Sequence, residues 1–510
     1  MFTQQDIEQL FQQEVEIEEA ERQCGIAQNG CGFVSVVRPA VSNDGILTID
    51  EQSVHQIVSG YQQRHPTEQI VKFVPASGAA SRMFKELHAY RDGNTAEPTE
   101  KSVTFFFDHL NEFAFFQTLK QKIAEDGLNI AELIQNKDYC TLIDYVLTEK
   151  GLNYAQTPKG LILFHQYEAI ARTAFEEHWV EAMEYACDAD KNIYLHFTVS
   201  PEHWENFEIL KNELVLKYEQ LFGIQIHIEF STQYASTDTL AFAADNTPLR
   251  TEAGKLVFRP GGHGSLLKNL SEIDADIVCI KNIDNVCLDR YKKDTIVYKK
   301  LLIALLLEFK NQIFNFLHEM DNELLSEEKL QEIEKFLQEK FFVSLPDSYQ
   351  GLSLAEKQNV LFEKLNRPVR ICGMVKREEE PGGGPFWVKN ENGEISLQIV
   401  ETSEMNLADK TQKECLEKSE FFNPVDLVCL LKNYRGKPFN LSDYVDFSRY
   451  FVSEKSQNGV PLKAIENPGL WNGAMSDWLT VFAAVPLSTF SPVKTVNDLL
   501  RKEHNSFICG

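Results

Sequence analysis

Between residues 160 and 285 short runs rich in β-branched and aromatic residues alternate with helical stretches. NIYLHFTVS reads as a strand, and PEHWENFEILKNELVLKYEQLFG reads as a helix with Pro201 in its first turn. IQIHIEFS is a second strand, GHGSLLKNLSEI a turn and helix, and ADIVCIKNID a strand that ends on Asp284. Strands separated by helices of this size pair through crossover connections, which lay helices on both faces of a mostly parallel sheet. The expected class is α/β. In such sheets ligands sit at the carboxyl ends of strands.

The flanking sequence behaves differently. Residues 4–23 read as one helix, with Ile7, Leu10, Phe11, Val15 and Ile17 near one face, and 51–64 as another. A strand at Ile70–Val74 runs into a loop of small residues, with a helix expected from about Ser81. Helical periodicity dominates residues 95–155, as in an insertion, and long helices return at 294–345. RPVRICGMVKR, EISLQIVET and VDLVCLL read as strands, and Val493–His504 as a closing helix. At 510 residues two or three structural units are expected. The segments are 1–69, helical or extended; 70–290, an α/β core with an insertion at about 90–155; 291–365, helical; and 366–510, an α+β part that completes the core.

Charge narrows the function. With 50 Lys+Arg against 76 Asp+Glu, the net charge of -26 repels a nucleic-acid backbone, while leaving room for a small phosphate ligand in a local basic pocket. The 10 cysteines form no CxxC pair; Cys279, Cys372 and Cys429 lie in apolar runs and read as buried free thiols. The acidic, amphipathic start lacks the features of a signal peptide, and KLLIALLLEF is too short to span a bilayer. A cytoplasmic protein without membrane partners is expected.

Four segments could carry chemistry. In VKFVPASGAASRMFK, residues Ala76, Ser77, Gly78, Ala79, Ala80 and Ser81 let a ligand approach the main chain, whose N–H groups attract anions. Arg82 follows as a forked cation suited to phosphate. A tight strand–helix packing turn would use the same small residues. In FRPGGHGSLLKNL, Gly262 and His263 lie in a turn that either admits a base or ribose or simply connects elements. Asp284 and Asn285 stand at a strand tip, where Mg²⁺ takes one or two carboxylates plus substrate phosphates, or where an ordinary turn holds an acid. ENPGLWNGAMSDW offers Asn472 and Asp477, a second metal ligand and a sugar-facing surface, or aromatic packing. KREEEPGGGPFW reads as a ligand-covering loop or solvated surface.

Taken in order, these segments resemble nucleotidyltransferases of the UDP-sugar pyrophosphorylase type, the UDP-N-acetylglucosamine and UDP-glucose pyrophosphorylases especially. The match spans roughly residues 70–480. Residues 76–82 occupy the place of that family's A-G-G-x-G-T-R loop, and Pro158-Lys159-Gly160 that of its P-K-G. FSTQYAST, PGGHGSL, IKNIDNV, QIVETSEMN and GLWNGAM resemble its later motifs. Ser77 and Ala80 stand where the family has glycine, and Ser81 where it has threonine. The chain also resembles, over its whole length, a bacterial family marked by the same PASGAASRMFK signature.

The resemblance implies a Rossmann-like (GT-A type) doubly wound mixed sheet with a helical insertion and an additional α+β C-terminal region. It implies a Mg²⁺-dependent transfer between a nucleoside triphosphate, UTP favoured, and a sugar-1-phosphate, releasing pyrophosphate. Gly78 and Ala79 would meet the nucleotide with their backbone. Arg82, assisted by Lys85, would face the pyrophosphate, and Lys159 the α-phosphate or the sugar phosphate. Asp284, with Asp477 or Asn472, would bind the metal. Gln233, Gly262, His263 and Asn285 would lie at the nucleotide, and Glu401, Glu404 and Asn472 at the sugar. Two other readings share the scaffold: a nucleotide-sugar-binding regulatory protein whose altered loop no longer catalyses, and a GT-A type glycosyltransferase.

Overall fold

The computed structural model describes residues 2–506 apart from 65–66, 79, 94–97, 379–382 and 458–459. The chain forms two compact units, each assembled from separated segments. One comprises Met1–Val71, Gln233–Ile280 and Lys300–Val485, and the other Lys72–Thr232, Lys281–Lys299 and Pro486–Gly510. The segments expected from sequence run consecutively, whereas these units interleave.

In the first unit the strand order is Val41–Ser42, Gly45–Leu47, Leu479–Ala484, Val369–Lys376, Asp426–Leu430 and Ile277–Lys281, the last crossing the unit boundary after Ile280. The sheet is mixed: Val369–Lys376 runs parallel to Leu479–Ala484 and antiparallel to Asp426–Leu430. Cys279, Cys372 and Cys429 lie fully buried on these strands. A second sheet, of four strands, carries the N-terminal helices. Leu10, Val15, Ala20, Cys24 and Ala27 pack there on Leu240, Phe242, Leu256, Tyr450 and Ile465. The single N-terminal helix expected over 4–23 is two, Gln4–Gln12 and Ile17–Asn29. Glu14 adopts a left-handed φ of 55°, and the Val15 N–H returns to the Leu10 carbonyl. This helix-ending geometry turns Val15 into the core at the cost of helical continuity.

In the second unit the strand order is Ile70–Pro75, which enters the unit at Lys72, then Asn192–Thr198 and Gln225–Ser231, the last two parallel and in register from Asn192↔Gln225 to Thr198↔Ser231. Helix Ala174–Tyr185 opens with a capping box in which Thr173 and Glu176 satisfy each other's backbone N–H groups. Its Phe175 ring meets Trp179, Phe197 and Phe207 at centroid distances of 4.9, 4.5 and 5.2 Å, so edge-to-face aromatic contacts fill this core. The insertion is helical, from Lys85–Gly93 through Tyr139–Leu147. The α/β class, the mixed sheet, the insertion and the α+β C-terminal region agree with expectation.

The helix expected over Val493–His504 is absent. That segment holds a 3-10 turn at Val496–Leu500, because its polar groups are taken by partners outside a helical ladder. The Val493 N–H donates to the Asp284 carbonyl, and the Lys494 and Thr495 N–H groups donate to the Asp498 carboxylate. No helix among the described residues is long and apolar enough to cross a membrane.

Candidate active site

The small-residue loop, the Pro158-Lys159-Gly160 turn and the Asp284 strand tip all lie in the second unit. Strand Ile70–Pro75 delivers Ala76, whose N–H continues the ladder by donating to the Thr198 carbonyl at 2.8 Å. Ser77 is half-buried, Gly78 exposed and Ala80 buried. Ala79 lies outside the described residues. Among the described residues a Cβ added at Gly78 would meet no atom within 4 Å, so none of them fills the space beside it. Ser81, Arg82 and Lys85 follow, all exposed, with Arg82 closing a 3-10 turn and Lys85 opening helix Lys85–Gly93.

Pro158-Lys159-Gly160 lies against this loop: the Lys159 N–H donates to the Gly78 carbonyl at 3.4 Å. Gly160 is held by packing, since a Cβ there would lie 3.1 Å from the Phe207 ring. The Lys159 ammonium donates to Asp284 Oδ2 at 3.0 Å and to the Val493 carbonyl at 2.8 Å. An ammonium has three donors, so these contacts leave one for a ligand oxygen. The Lys159 and Asp284 side chains are 16% and 10% exposed, which makes this a partly desolvated pair at the strand tip. Lys494, 62% exposed, comes within 3.5 Å of the same Asp284 oxygen. Sequence reasoning missed Lys494 and the Val493 carbonyl because the segment read as a helix.

Among the described residues no group of three acids, histidines or cysteines is placed to hold a metal ion. Asp284 nevertheless suits Mg²⁺ as one ligand. Both lysines approach Oδ2, and among the described residues Oδ1 carries no hydrogen bond. Mg²⁺ needs only one or two carboxylates where phosphate oxygens and waters supply the rest. Asn285 is buried, with its side-chain oxygen accepting from the Ser491 N–H at 2.9 Å; it fastens the C-terminal segment that brings Val493 and Lys494 to Asp284.

The remaining site residues belong to the first unit. Glu404 is their centre: one oxygen accepts from the Arg449 guanidinium at 2.8 Å, and the other from the Glu401 N–H at 2.7 Å and the Asn472 side-chain amide at 3.0 Å. All of Glu404, Arg449 and Asn472 are buried, and among the described residues the Asn472 side-chain oxygen has no hydrogen-bond partner. Burial, then the Glu404 charge, push the Glu401 carboxyl above the usual carboxylate range. Arg449 was not legible in sequence, being separated from Glu404 by 45 residues without a local motif.

His263 stacks on Trp471 at 4.2 Å, and its Nδ1 accepts from the Leu470 N–H at 3.0 Å. That bond places the neutral ring's proton on Nε2, which lies 3.9 Å from Glu401. Burial holds the imidazole down to about 4. The neighbouring glycines are taken up by the chain itself. A Cβ at Gly261 would lie 2.5 Å from the Thr237 carbonyl, at Gly262 2.6 Å from the Glu466 carboxylate, and at Gly264 2.1 Å from the Pro468 carbonyl. Gln233, half-buried, donates to Asp238 at 3.3 Å. Asp477 is 65% exposed and faces Arg367 at 3.5 Å. The KREEEPGGGPFW loop lies partly outside the described residues.

The family model of a domain of unknown function (DUF4301) matches residues 3–505. No curated protein matches the chain by sequence. Among solved structures, a variant UDP-glucose pyrophosphorylase from Leishmania major in complex with UDP-glucose is similar at 12% identity and a TM-score of 0.44, over 98% of this chain and 78% of that one. The uridine diphosphate N-acetylglucosamine pyrophosphorylase from Trypanosoma brucei, in complex with an inhibitor, is similar at 13% identity and a TM-score of 0.43, over 91% and 72%. A UDP-glucose phosphorylase from Trypanosoma brucei is similar at 13% identity and a TM-score of 0.45, over 97% and 77%.

Proposed function

The chain belongs to the DUF4301 family along almost its whole length, and from that premise we propose that it is a cytoplasmic nucleotidyltransferase joining a sugar-1-phosphate to a nucleoside triphosphate, UTP favoured. The carrying observation is the P-K-G lysine: Lys159 touches the small-residue loop with its backbone and Asp284 with its ammonium. Residues from three distant segments thereby present one carboxylate and two lysines beside an open loop, an arrangement suited to a polyphosphate.

In the reaction an oxygen of the sugar phosphate attacks the α-phosphorus of the triphosphate. The bond from that phosphorus to the bridging oxygen breaks, and pyrophosphate leaves with the electron pair. The attacking oxygen is already ionised at neutral pH, so positioning and charge neutralisation carry the rate rather than a general base. The exposed backbone at Gly78 gives the triphosphate a close approach. Among the described residues the third Lys159 N–H has no acceptor and would hold a phosphoryl oxygen, and Lys494 adds a second cation beside it. Arg82 and Lys85, exposed just beyond the loop, supply cations for the leaving pyrophosphate. Mg²⁺, held by Asp284 and phosphate oxygens, would neutralise the charge that develops on the transferred group.

The assay incubates the protein with Mg²⁺, each nucleoside triphosphate and a panel of sugar-1-phosphates, and follows pyrophosphate. Release with at least one pair, uridine preferred, is expected. Folded protein that releases none with any pair would sink the proposal. Consumption of a nucleotide-sugar with release of a nucleoside diphosphate would move the protein to the glycosyltransferases.

A further inference from the structure

Helix Ala174–Tyr185 carries a polar stripe where an apolar one is expected. His178, Glu181 and Tyr185 are spaced three and four residues apart, on one face, and all are buried. Glu181 uses both carboxylate oxygens. Oε1 accepts from the Lys72 ammonium at 3.0 Å and from the Tyr185 hydroxyl at 3.1 Å; Oε2 accepts from the Lys281 ammonium at 2.8 Å. Lys72 also donates to the His178 carbonyl at 3.1 Å, and the His178 ring donates through Nε2 to the Ile283 carbonyl at 3.1 Å. The ammonium and carboxylate groups are essentially unexposed.

The places these residues occupy give the cluster its meaning. Lys72 lies in strand Ile70–Pro75, which ends at the small-residue loop. Lys281 closes strand Ile277–Lys281, and Ile283 directly precedes Asp284. One helix therefore grips both strands that lead into the phosphate site, within one at Lys72 and at the end of the other at Lys281 and Ile283. A buried ion cluster is a poor source of net stability, because desolvation offsets the attraction, but it tolerates few alternative arrangements. Burial pulls the Lys72 ammonium down to about 7, while the two lysines hold Glu181 well below the usual carboxylate range.

We infer that Glu181 is a positioning residue for the phosphate site, setting the loop at Ala76–Gly78 against Asp284 through Lys72 and Lys281; the inference rests on the proposed nucleotidyl transfer. No substrate atom touches Glu181 in this scheme. A displacement of about 1 Å in groups that orient reacting atoms costs on the order of 100-fold in rate, so a cluster this far from the chemistry can matter.

Two variants test it. Lys72→Met removes a buried charge whose burial is already unfavourable and leaves Glu181 paired with Lys281, so the fold is expected to melt at or above the wild-type temperature. Glu181→Asp keeps the charge but shortens its reach, and decides the matter where Lys72→Met does not fold. In each, KM for the nucleotide is expected to rise at least fivefold with KM for the sugar phosphate unchanged. Loss of folded fraction alone would lower kcat and move neither KM. Hydrogen–deuterium exchange is read alongside: peptides containing 76–78 are expected to exchange faster in both variants, with 225–231 unchanged. Wild-type nucleotide KM and wild-type exchange at 76–78 in the folded variants would overturn the inference. If the wild-type protein releases no pyrophosphate, the proposed reaction falls, and the exchange comparison still decides the positioning.

Discussion

Replacing Lys159 by methionine probes the site where its charges are closest. At 3.0 Å and an effective dielectric near 20, the Lys159–Asp284 attraction is on the order of 5 kcal/mol before desolvation. Both side chains are largely removed from water, and their desolvation offsets most of that. The methionine keeps the stem packing but deletes two hydrogen bonds, to Asp284 and to the Val493 carbonyl. Asp284 is not left alone, because Lys494 stands 3.5 Å away and is free enough to close on it. The net stability loss expected is therefore about 1–3 kcal/mol, less than for a fully orphaned buried charge. Catalysis has no such substitute, since Lys494 cannot occupy two positions at once. With one phosphate-facing donor gone, pyrophosphate release is expected to fall about 100- to 1,000-fold in kcat/KM. Urea unfolding and the pyrophosphate assay measure the two effects separately. Activity within tenfold of wild type, from a variant destabilised as stated, would refute the assignment of Lys159 to the phosphate. Unchanged stability would refute the energetic reasoning about the pair.

The glycines offer a paired comparison. Gly78→Ala, whose Cβ meets nothing, is expected to leave stability within about 0.5 kcal/mol while raising KM for the nucleotide. Gly264→Ala drives a methyl group to 2.1 Å from the Pro468 carbonyl, and thermal or urea unfolding should show a loss of about 2–3 kcal/mol. The His263 imidazole is held near 4 in the folded chain against an ordinary value near 6.5, so below pH 6.5 the unfolded chain binds a proton that the folded chain refuses. Its contribution to stability is whole above pH 6.5 and falls as pH drops toward 4. By pH 5 wild type should lose about 1–2 kcal/mol more than His263→Gln, relative to each protein at pH 7.5, partial exposure of the ring screening the rest.

Much of the second unit was legible from local pattern. Runs of β-branched and aromatic residues marked the segments at Asn192–Thr198 and Gln225–Ser231 as strands, because such side chains fit a pleated, half-buried surface. Ala76-Ser77-Gly78 stood out because close backbone approach at the end of a strand demands small residues, whereas Pro158-Lys159-Gly160 was marked only by the resemblance to the UDP-sugar pyrophosphorylase type. The N-terminal break at Glu14 carried no such mark, since left-handed backbone there comes from the pull of Val15 toward a core built partly by residues more than 200 positions away. The glycines of the Pro260–Gly264 turn were visible as glycines, but sequence could not distinguish space kept for a ligand from space filled by the segment at Glu466–Pro468.

The sequence by itself determined the residue types on the strand tips, the small-residue loop and the helical insertion, because each depends on neighbours a few positions apart. Only the tertiary structure decided which charges meet. Lys159 and Asp284 are 125 positions apart, Lys159 and Val493 334, and Lys72 and Glu181 109. No periodicity records such pairings, because a buried charge is satisfied by whatever the folded chain brings within about 3 Å. The same constraint broke the expected C-terminal helix into a non-helical stretch that presents Val493 and Lys494 and a 3-10 turn at Val496–Leu500, the N–H groups of residues 493–495 going to Asp284 and Asp498.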